Sequence, residues 1–456
     1  MTALRLPMFA AALLCAALRV QADDGAADAQ FGNMGRAIHS WPANTIQSET
    51  SAVGAGEDGS VFVAGWRTYP TPQQRDAVSL LRFRADGSPD AGFGTAGVAL
   101  FDLDVTSQIG ERAVAVFARP GGRSLLLATR RIAGTMGQQP MLISVRADGT
   151  PDPAFGTNGI QPIDITRWNG NDVQVEAALI DAQGRVVLAG ALLGDDSLDA
   201  LVARVMPGGG IDATFGDQGW VQIISDEPLF ATAVTLDDLG RVVVAGKTFG
   251  DGVDDRPMVA RLDVNGVPDT SFGDGGVVRA DTGLGGDWSA DAVVAAVRTI
   301  AGGFLQRRVF VAIQRSPVSA TGILGLTAAG DIATTFGDDG FVDLSLEEGS
   351  RITALAMRRD LRLVAAGTID PNGTARTDFL VARMAFDGTL DASFDGNGLA
   401  RYPINADGDT FDTPAAMVLS GERPVIAGKL YNNNTPSYHT GVLRLSSDLI
   451  FRHGFE

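Results

Sequence analysis

The sequence predicts an all-β fold, a seven-bladed β-propeller of four-stranded antiparallel blades, and two observations lead there. An eight-residue string built around Phe-Gly is written seven times, as "DAQFGNMG", "DAGFGTAG", "DPAFGTNG", "DATFGDQG", "DTSFGDGG", "ATTFGDDG" and "DASFDGNG". Its phenylalanines, Phe31, Phe93, Phe155, Phe215, Phe272, Phe336 and Phe394, fall 57 to 64 residues apart, the spacing of an array or a propeller. Each period also holds four short stretches rich in β-branched residues, with Gly and Asp at every reversal, and no helical periodicity competes. Sheets set radially bury both faces against their neighbours and expose only short edges.

Residues 1–22, "MTALRLPMFAAALLCAALRVQA", read as a cleavable signal peptide: early arginine, a short apolar run and a Val-Gln-Ala ending. The apolar run is too short to span a bilayer, and no later segment reaches membrane length. Residues 23–456 are then one propeller domain, secreted or periplasmic. Removal of the leader takes away the chain's single cysteine, Cys15, and with it any disulfide or thiolate metal site. It also removes Arg5 and Arg19, leaving 34 basic residues against 54 acidic ones and a formal charge of −20. Such a surface repels nucleic acid.

Within a period the motif is followed by a short apolar strand such as "WVQIIS". Two strands joined by a tight polar turn come next, as in "AVTLDDLGRVVVAG", and then a fourth, as in "MVARLDVNG". Seven paired middle strands can be counted, from "AVGAGEDGSVFVAG" to "AMVLSGERPVIAG". Units of the "LVARVMPGGGIDATFGDQG" type, about sixty residues long and repeated through nearly the whole chain, resemble the delta-60 repeat family of bacterial exported proteins. The resemblance implies the propeller-like architecture and export; it implies no common activity.

The motif phenylalanine follows a turn, where it can fold back and plug the seam between blades, contributing roughly 1.5 to 3 kcal/mol on burial. The glycines after it, such as Gly216 and Gly219, suit positive φ. "GAGEDG" at Gly54 satisfies G-x-G-x-x-G, yet it lies in a hairpin turn with no helix following, so it is not a dinucleotide fingerprint. An arginine stands eight positions before the motif aspartate in Arg82 and Asp90, Arg204 and Asp212, Arg261 and Asp269, and Arg383 and Asp391. Gly325 and Ala333 lose both members together, which predicts a structural ion pair; Ser144 with Asp152 keeps the aspartate alone.

Parity of an up-and-down blade puts the tight turns and the Phe-Gly motifs on one face. The other face receives the long, dissimilar connections, where repeat proteins place recognition. Its candidate binding residues are Asp195, Asp196, Asp199, Asp251, Asp254, Asp255, Asp370, Asn372, Asp407, Asp409, Asp412, Asn432 and Asn433. Clustered carboxylates and carbonyls suit Ca²⁺, and "DPNGTARTD" and "NADGDTFD" approach a calcium loop in composition without its ligand order. His39, His439 and His453 include no pair at metal-ligand spacing, and no G-x-S-x-G or S-x-x-K string appears. The leading expectation is a non-catalytic binding module for a protein or carbohydrate partner. The alternative is a propeller hydrolase or lyase acting on a polysaccharide or ester with carboxylates at the central opening.

The chain opens on a motif copy and closes on "DLIFRHGFE", whose Phe455 falls in line with the motif phenylalanines. Terminal segments therefore meet in a closed ring. The tail also has the look of a sorting or processing tag.

Overall fold

In the computed structural model the chain is described over residues 25–70, 75–103, 110–168, 172–194, 197–249, 254–280, 286–316, 320–346, 350–370, 376–404, 410–433 and 436–446. Seven four-stranded antiparallel sheets make up the architecture, with three short 3-10 turns as the helical content among the described residues. Blades 1 to 6 span residues 47–101, 111–162, 172–223, 229–279, 287–343 and 351–402. In each the strands pair in chain order from the axis outwards.

The strand after each motif therefore closes the blade that precedes it. Trp220–Ile223, for example, is the outer strand beside Leu198–Val205, with Trp220 opposite Ala203. Blade 7 is completed across the ends of the chain. Arg36–Ser40 pairs with Ser437–Arg444, and the Asp28 and Ser446 amides donate to Arg444 O and Ala26 O at 2.8 and 2.9 Å. Phe31 thus supplies the motif of blade 7; Phe455 and the rest of the tail lie outside the described residues.

Seven apolar clusters fill the seams between blades. One joins Phe62, Leu80 and Phe93 of blade 1 to Val116, Leu126 and Ile143 of blade 2, and another joins Val61 and Phe83 of blade 1 to Val425 and Val442 of blade 7. Phe31, Phe93, Phe215, Phe272, Phe336 and Phe394 are buried, and Phe155 is half-buried. The motif turn is what aims them. The Asp212 carboxylate accepts from the Thr214 amide at 3.1 Å and its hydroxyl at 2.6 Å, and the Gly219 amide donates to Phe215 O at 2.7 Å. Gly216 has φ +54, and a Cβ there would stand 2.4 Å from Trp220 O, so glycine is required.

The plug then receives the next blade. The Gly216 amide donates to Asn265 O of blade 4 at 2.6 Å, and a Cβ on Gly266 would come within 3.0 Å of the Phe215 ring. Gly94 reaches Asp148 O in blade 2 in the same manner, at 2.7 Å. Each copy of the motif is thus a docking surface for its neighbour, which is why it recurs once per blade.

Arginine ties the same seam. Arg204 Nε donates to Asp212 at 2.7 Å, its guanidinium lies 4.5 Å over the Phe215 ring, and its Nη1 donates to Val264 O of the next blade at 2.6 Å. Where the third strand lacks arginine, the second strand supplies one. Arg123 pairs with Asp152 in blade 2, and Arg308 donates to Phe386 O at 2.8 Å and lies 5.8 Å from the Phe336 ring in blade 5. The serine at position 144 and the glycine at 325 are tolerated because the guanidinium arrives from the neighbouring strand.

Candidate functional site

The inner strands, Gln47–Ala55, Glu111–Arg119, Asp172–Ile180, Leu229–Leu236, Asp287–Thr299, Arg351–Met357 and Thr410–Ser420, enclose a central channel of about 520 Å³. Every one of them carries a one-residue β-bulge. The bulged residues are Ser51, Val114, Glu176, Thr232, Asp291, Thr353 and Ala415, and all seven line the channel. A bulge leaves the extra residue out of the ladder and re-aims its side chain, so these positions form a ring facing the channel; two of them also tie neighbouring blades, the Thr232 hydroxyl donating to Ala290 O at 2.5 Å and the Thr353 hydroxyl to Pro414 O at 3.2 Å. Past the ring the wall is apolar, with Val53, Val116, Ile180, Leu355 and Met417.

Two ring members are carboxylic acids. Desolvation pushes the Asp291 carboxyl up, against the pull of Arg351 Nε at 3.2 Å. Glu176 is also raised by desolvation, and Arg112 opposes the shift. Its neighbourhood is wider. Above blades 1 to 3, on the face of the long connections, a basin of about 700 Å³ opens into the channel mouth through Ser51, Val114 and Glu176. Trp66 and Arg112 stand in its wall, the guanidinium 5.2 Å over the indole ring.

The acids and amides read from the sequence as rim residues divide. Asp195, Asp196, Asp251, Asn372, Asp407 and Asp409 lie outside the described residues. Asn433 and Asp254 are exposed, and the Gly286 amide donates to Asp254. Asp255 is half-buried and pairs with Lys247 at 3.0 Å. Asp199, Asp370, Asp412 and Asn432 are not rim groups, because all four are buried. Asp412 is fully so, in the inner strand of blade 7, where it accepts the Ile404 amide at 2.8 Å. Asp199 accepts Gln222 Nε2 at 2.8 Å across the outer pair of blade 3. Both satisfy polar groups where a connection enters a sheet, work that short acceptor side chains do well.

Among the described residues no group of three or more His, Cys, Asp or Glu side chains is placed to hold a metal ion. His39 sits on the closing strand at blade 7. Burial, with Arg67 and His439 adding to it, lowers its pKa to about 4. No helix among the described residues is long and apolar enough to cross a membrane.

Sequence reasoning missed the bulge ring, Arg112 and the basin. A signal existed: each bulged residue stands directly before an alanine, from Ala52 and Ala115 through Ala177, Ala233, Ala292 and Ala354 to Ala416, while its own identity changes in nearly every blade.

The family model described as "Domain of unknown function (DUF5122) beta-propeller" matches residues 57–93 and 240–272. No curated protein sequence matches the chain. Among solved structures, the polysaccharide lyase Uly1 is similar at 10% identity over 91% of this chain and 92% of that one, with a TM-score of 0.48. The Trypanosoma rangeli sialidase in complex with sialic acid is similar at 9% identity over 91% of this chain and 57% of that one, with a TM-score of 0.40. The Bombyx mori GH32 beta-fructofuranosidase BmSUC1 is similar at 9% identity over 92% of this chain and 95% of that one, with a TM-score of 0.32. The family match, together with the seven four-stranded blades, supports a β-propeller repeat family for this chain.

Proposed function

We propose that the protein is an exported binding module, of the delta-60 repeat type, that takes a carbohydrate or protein segment on the face of the long connections. The observation that carries this reading is the basin of about 700 Å³ above blades 1 to 3, a volume within the range of ligand sites. It is walled by an aromatic, two guanidiniums and several amide side chains. The repeat of about sixty residues supports the finer assignment, and the leader read in residues 1–22 supports export.

The channel itself argues for binding over catalysis. Of seven ring positions two carry carboxyls, one of them already paired with Arg351, and the wall beyond is apolar. A glycosidase places two carboxyls on either side of one scissile bond. The hydrolase or lyase reading is favoured by the raised carboxyls of Glu176 and Asp291, the second of which is held by Arg351.

Immobilised full-length protein and a Ser51→Trp variant, which fills the mouth of the basin, are to be compared on a glycan array and a peptide array. Binding by the wild type that the variant loses supports the reading; binding that survives overturns it. Release of reducing ends or unsaturated sugars from any bound polysaccharide would favour the enzyme instead.

A further inference from the structure

Blade 5 departs from the repeat in its inner hairpin. Past the bulge, Asp287–Thr299 and Leu305–Ser316 stay laddered for eight cross-strand pairs, from Ala292 opposite Ala312 to Thr299 opposite Leu305. The other six blades form four or five such pairs; in blade 4 the ladder ends at Leu236 opposite Val242. At about 3.4 Å per residue the extra pairs carry this turn roughly 10 to 14 Å beyond its neighbours on the face of the tight turns.

The tip is chemically unlike the turns beside it. Residues 299–305, "TIAGGFL", hold no charge, where blade 4 has "DDLG" at 237–240 and blade 6 has "RDLR" at 359–362. Phe304 is 71% exposed, Leu305 54% and Ile300 41%. The Ile300 amide donates to Phe304 O at 2.8 Å and the Gly303 amide to Ile300 O at 3.1 Å. The turn thus pairs its own amides, as a loop that leaves water must. Below the tip the hairpin is braced from both sides. Arg307 donates through Nε and Nη2 to the two oxygens of Asp238 in blade 4, each at 2.9 Å. Arg298 donates to Gln306 at 2.7 Å and lies 4.6 Å from the Phe386 ring of blade 6.

Area and charge choose the occupant. Three side chains on a convex tip cover far less than the roughly 800 Å² per partner of a stable protein interface, and the charged turns around them stand a hairpin's length lower. A bilayer surface asks only for the tip: apolar side chains enter the acyl boundary while the guanidiniums on their stems stay at headgroup level. Those guanidiniums are already engaged, and the chain has a formal charge of −18, so a net anionic surface repels it and a zwitterionic one does not.

We propose that Ile300, Phe304 and Leu305 form a membrane-docking finger that inserts into the surface of a zwitterionic bilayer. The finger stands on the face opposite the basin, so docking leaves the basin turned towards solvent. The docking does not depend on what the basin holds.

The test is sedimentation of the full chain with vesicles of phosphatidylcholine and phosphatidylethanolamine, alone and with phosphatidylglycerol added. Wild type is expected to bind the zwitterionic vesicles and to gain nothing from the anionic lipid. Phe304→Asp is expected to raise the lipid concentration for half binding about tenfold or more, by losing one inserted aromatic and taking a charge into the interface. Its melting temperature should stay within about a degree of wild type, because the ring is exposed in the folded protein. Met34→Asp, at an apolar side chain 74% exposed on the same face in blade 7, is expected to bind as wild type does. In Phe304→Trp, tryptophan emission should shift to the blue on vesicle addition by more than in wild type. No sedimentation, undiminished binding by Phe304→Asp, equal loss in Met34→Asp, or binding only where phosphatidylglycerol is present overturns the finger. A wild-type dimer in light scattering that Phe304→Asp makes monomeric, with no vesicle binding by either, would assign the tip to contact between two copies of the chain and overturn it as well.

Discussion

Arg444 Nε donates to the Asp28 carboxylate at 2.9 Å, joining residues 416 positions apart in the chain. Arg423 reaches the same carboxylate at 3.2 Å, and the Arg444 guanidinium lies 4.4 Å over the Phe31 ring. The seam that closes the ring is therefore built like five of the six seams within the chain, from an arginine, an aspartate and a phenylalanine; at the sixth Ala333 replaces the aspartate.

Asp28→Ala leaves the Arg444 charge buried without its partner, and breaking such a pair costs roughly 3 to 5 kcal/mol. Urea unfolding of the full chain measures it. A loss under about 1 kcal/mol would mean that the backbone pairing of Arg36–Ser40 closes the ring unaided.

Phe215→Ala removes a fully buried ring from the seam between blades 3 and 4, and a loss of about 3 to 5 kcal/mol is expected from such a cavity. Phe155→Ala, at the half-buried copy, is expected to cost less. Thermal denaturation of both variants checks the order, and the reverse order would contradict the seam-plug account.

Arg123→Gln deprives Asp152 of a partner that arrives from the second strand, with an expected cost of about 1 kcal/mol, because the arginine is half exposed. Adding Ser144→Arg should restore the loss by rebuilding the arrangement seen at Arg204 and Asp212. A double mutant no more stable than Arg123→Gln alone would show that the two strands are not equivalent sources of the guanidinium.

Acid should loosen the closing blade through His39. Its pKa in the fold is about 4 against 6.5 when free, so the unfolded chain binds the extra proton first. Stability is fully present above pH 6.5 and falls as pH drops towards 4, by about 2 to 3 kcal/mol at most. The groups facing His39 are Arg67 and His439, and the His439 pKa is lowered by burial too. Melting temperatures of wild type and His39→Gln at pH 7 and pH 4.5 measure the effect; equal drops in the two proteins would assign the acid sensitivity elsewhere. Below that window Asp269, lowered to about 2 beside Ser271 and Arg261, contributes stability lost from pH 3.8 downwards.

Seven blades were legible because a motif that docks neighbouring sheets must be repeated as often as there are sheets. The pairing of Arg204 with Asp212 was legible because both residues vanish together at Gly325 and Ala333. Strand phase was not, since "WVQIIS" reads the same whether it opens one blade or closes the previous one. Composition also misjudged Asp412 and Asp199: acidic residues close to a connection look like surface, yet a carboxylate there can be consumed by a single amide or side-chain donor. Glu176 and Arg112 escaped notice because they lie 64 residues apart in the chain and meet only through the ring.

Because the bulged residue in each inner strand takes no part in the ladder, its side chain can be exchanged without renegotiating the strand register, although Thr232, Asp291 and Thr353 also bond to the next blade. The channel mouth behaves as a ring of seven sockets on an unvarying chassis, three of them tied to the blade that follows. New recognition can be written there by single substitutions, and Ser51, Val114 and Ala415 are the sockets from which a redesign would begin.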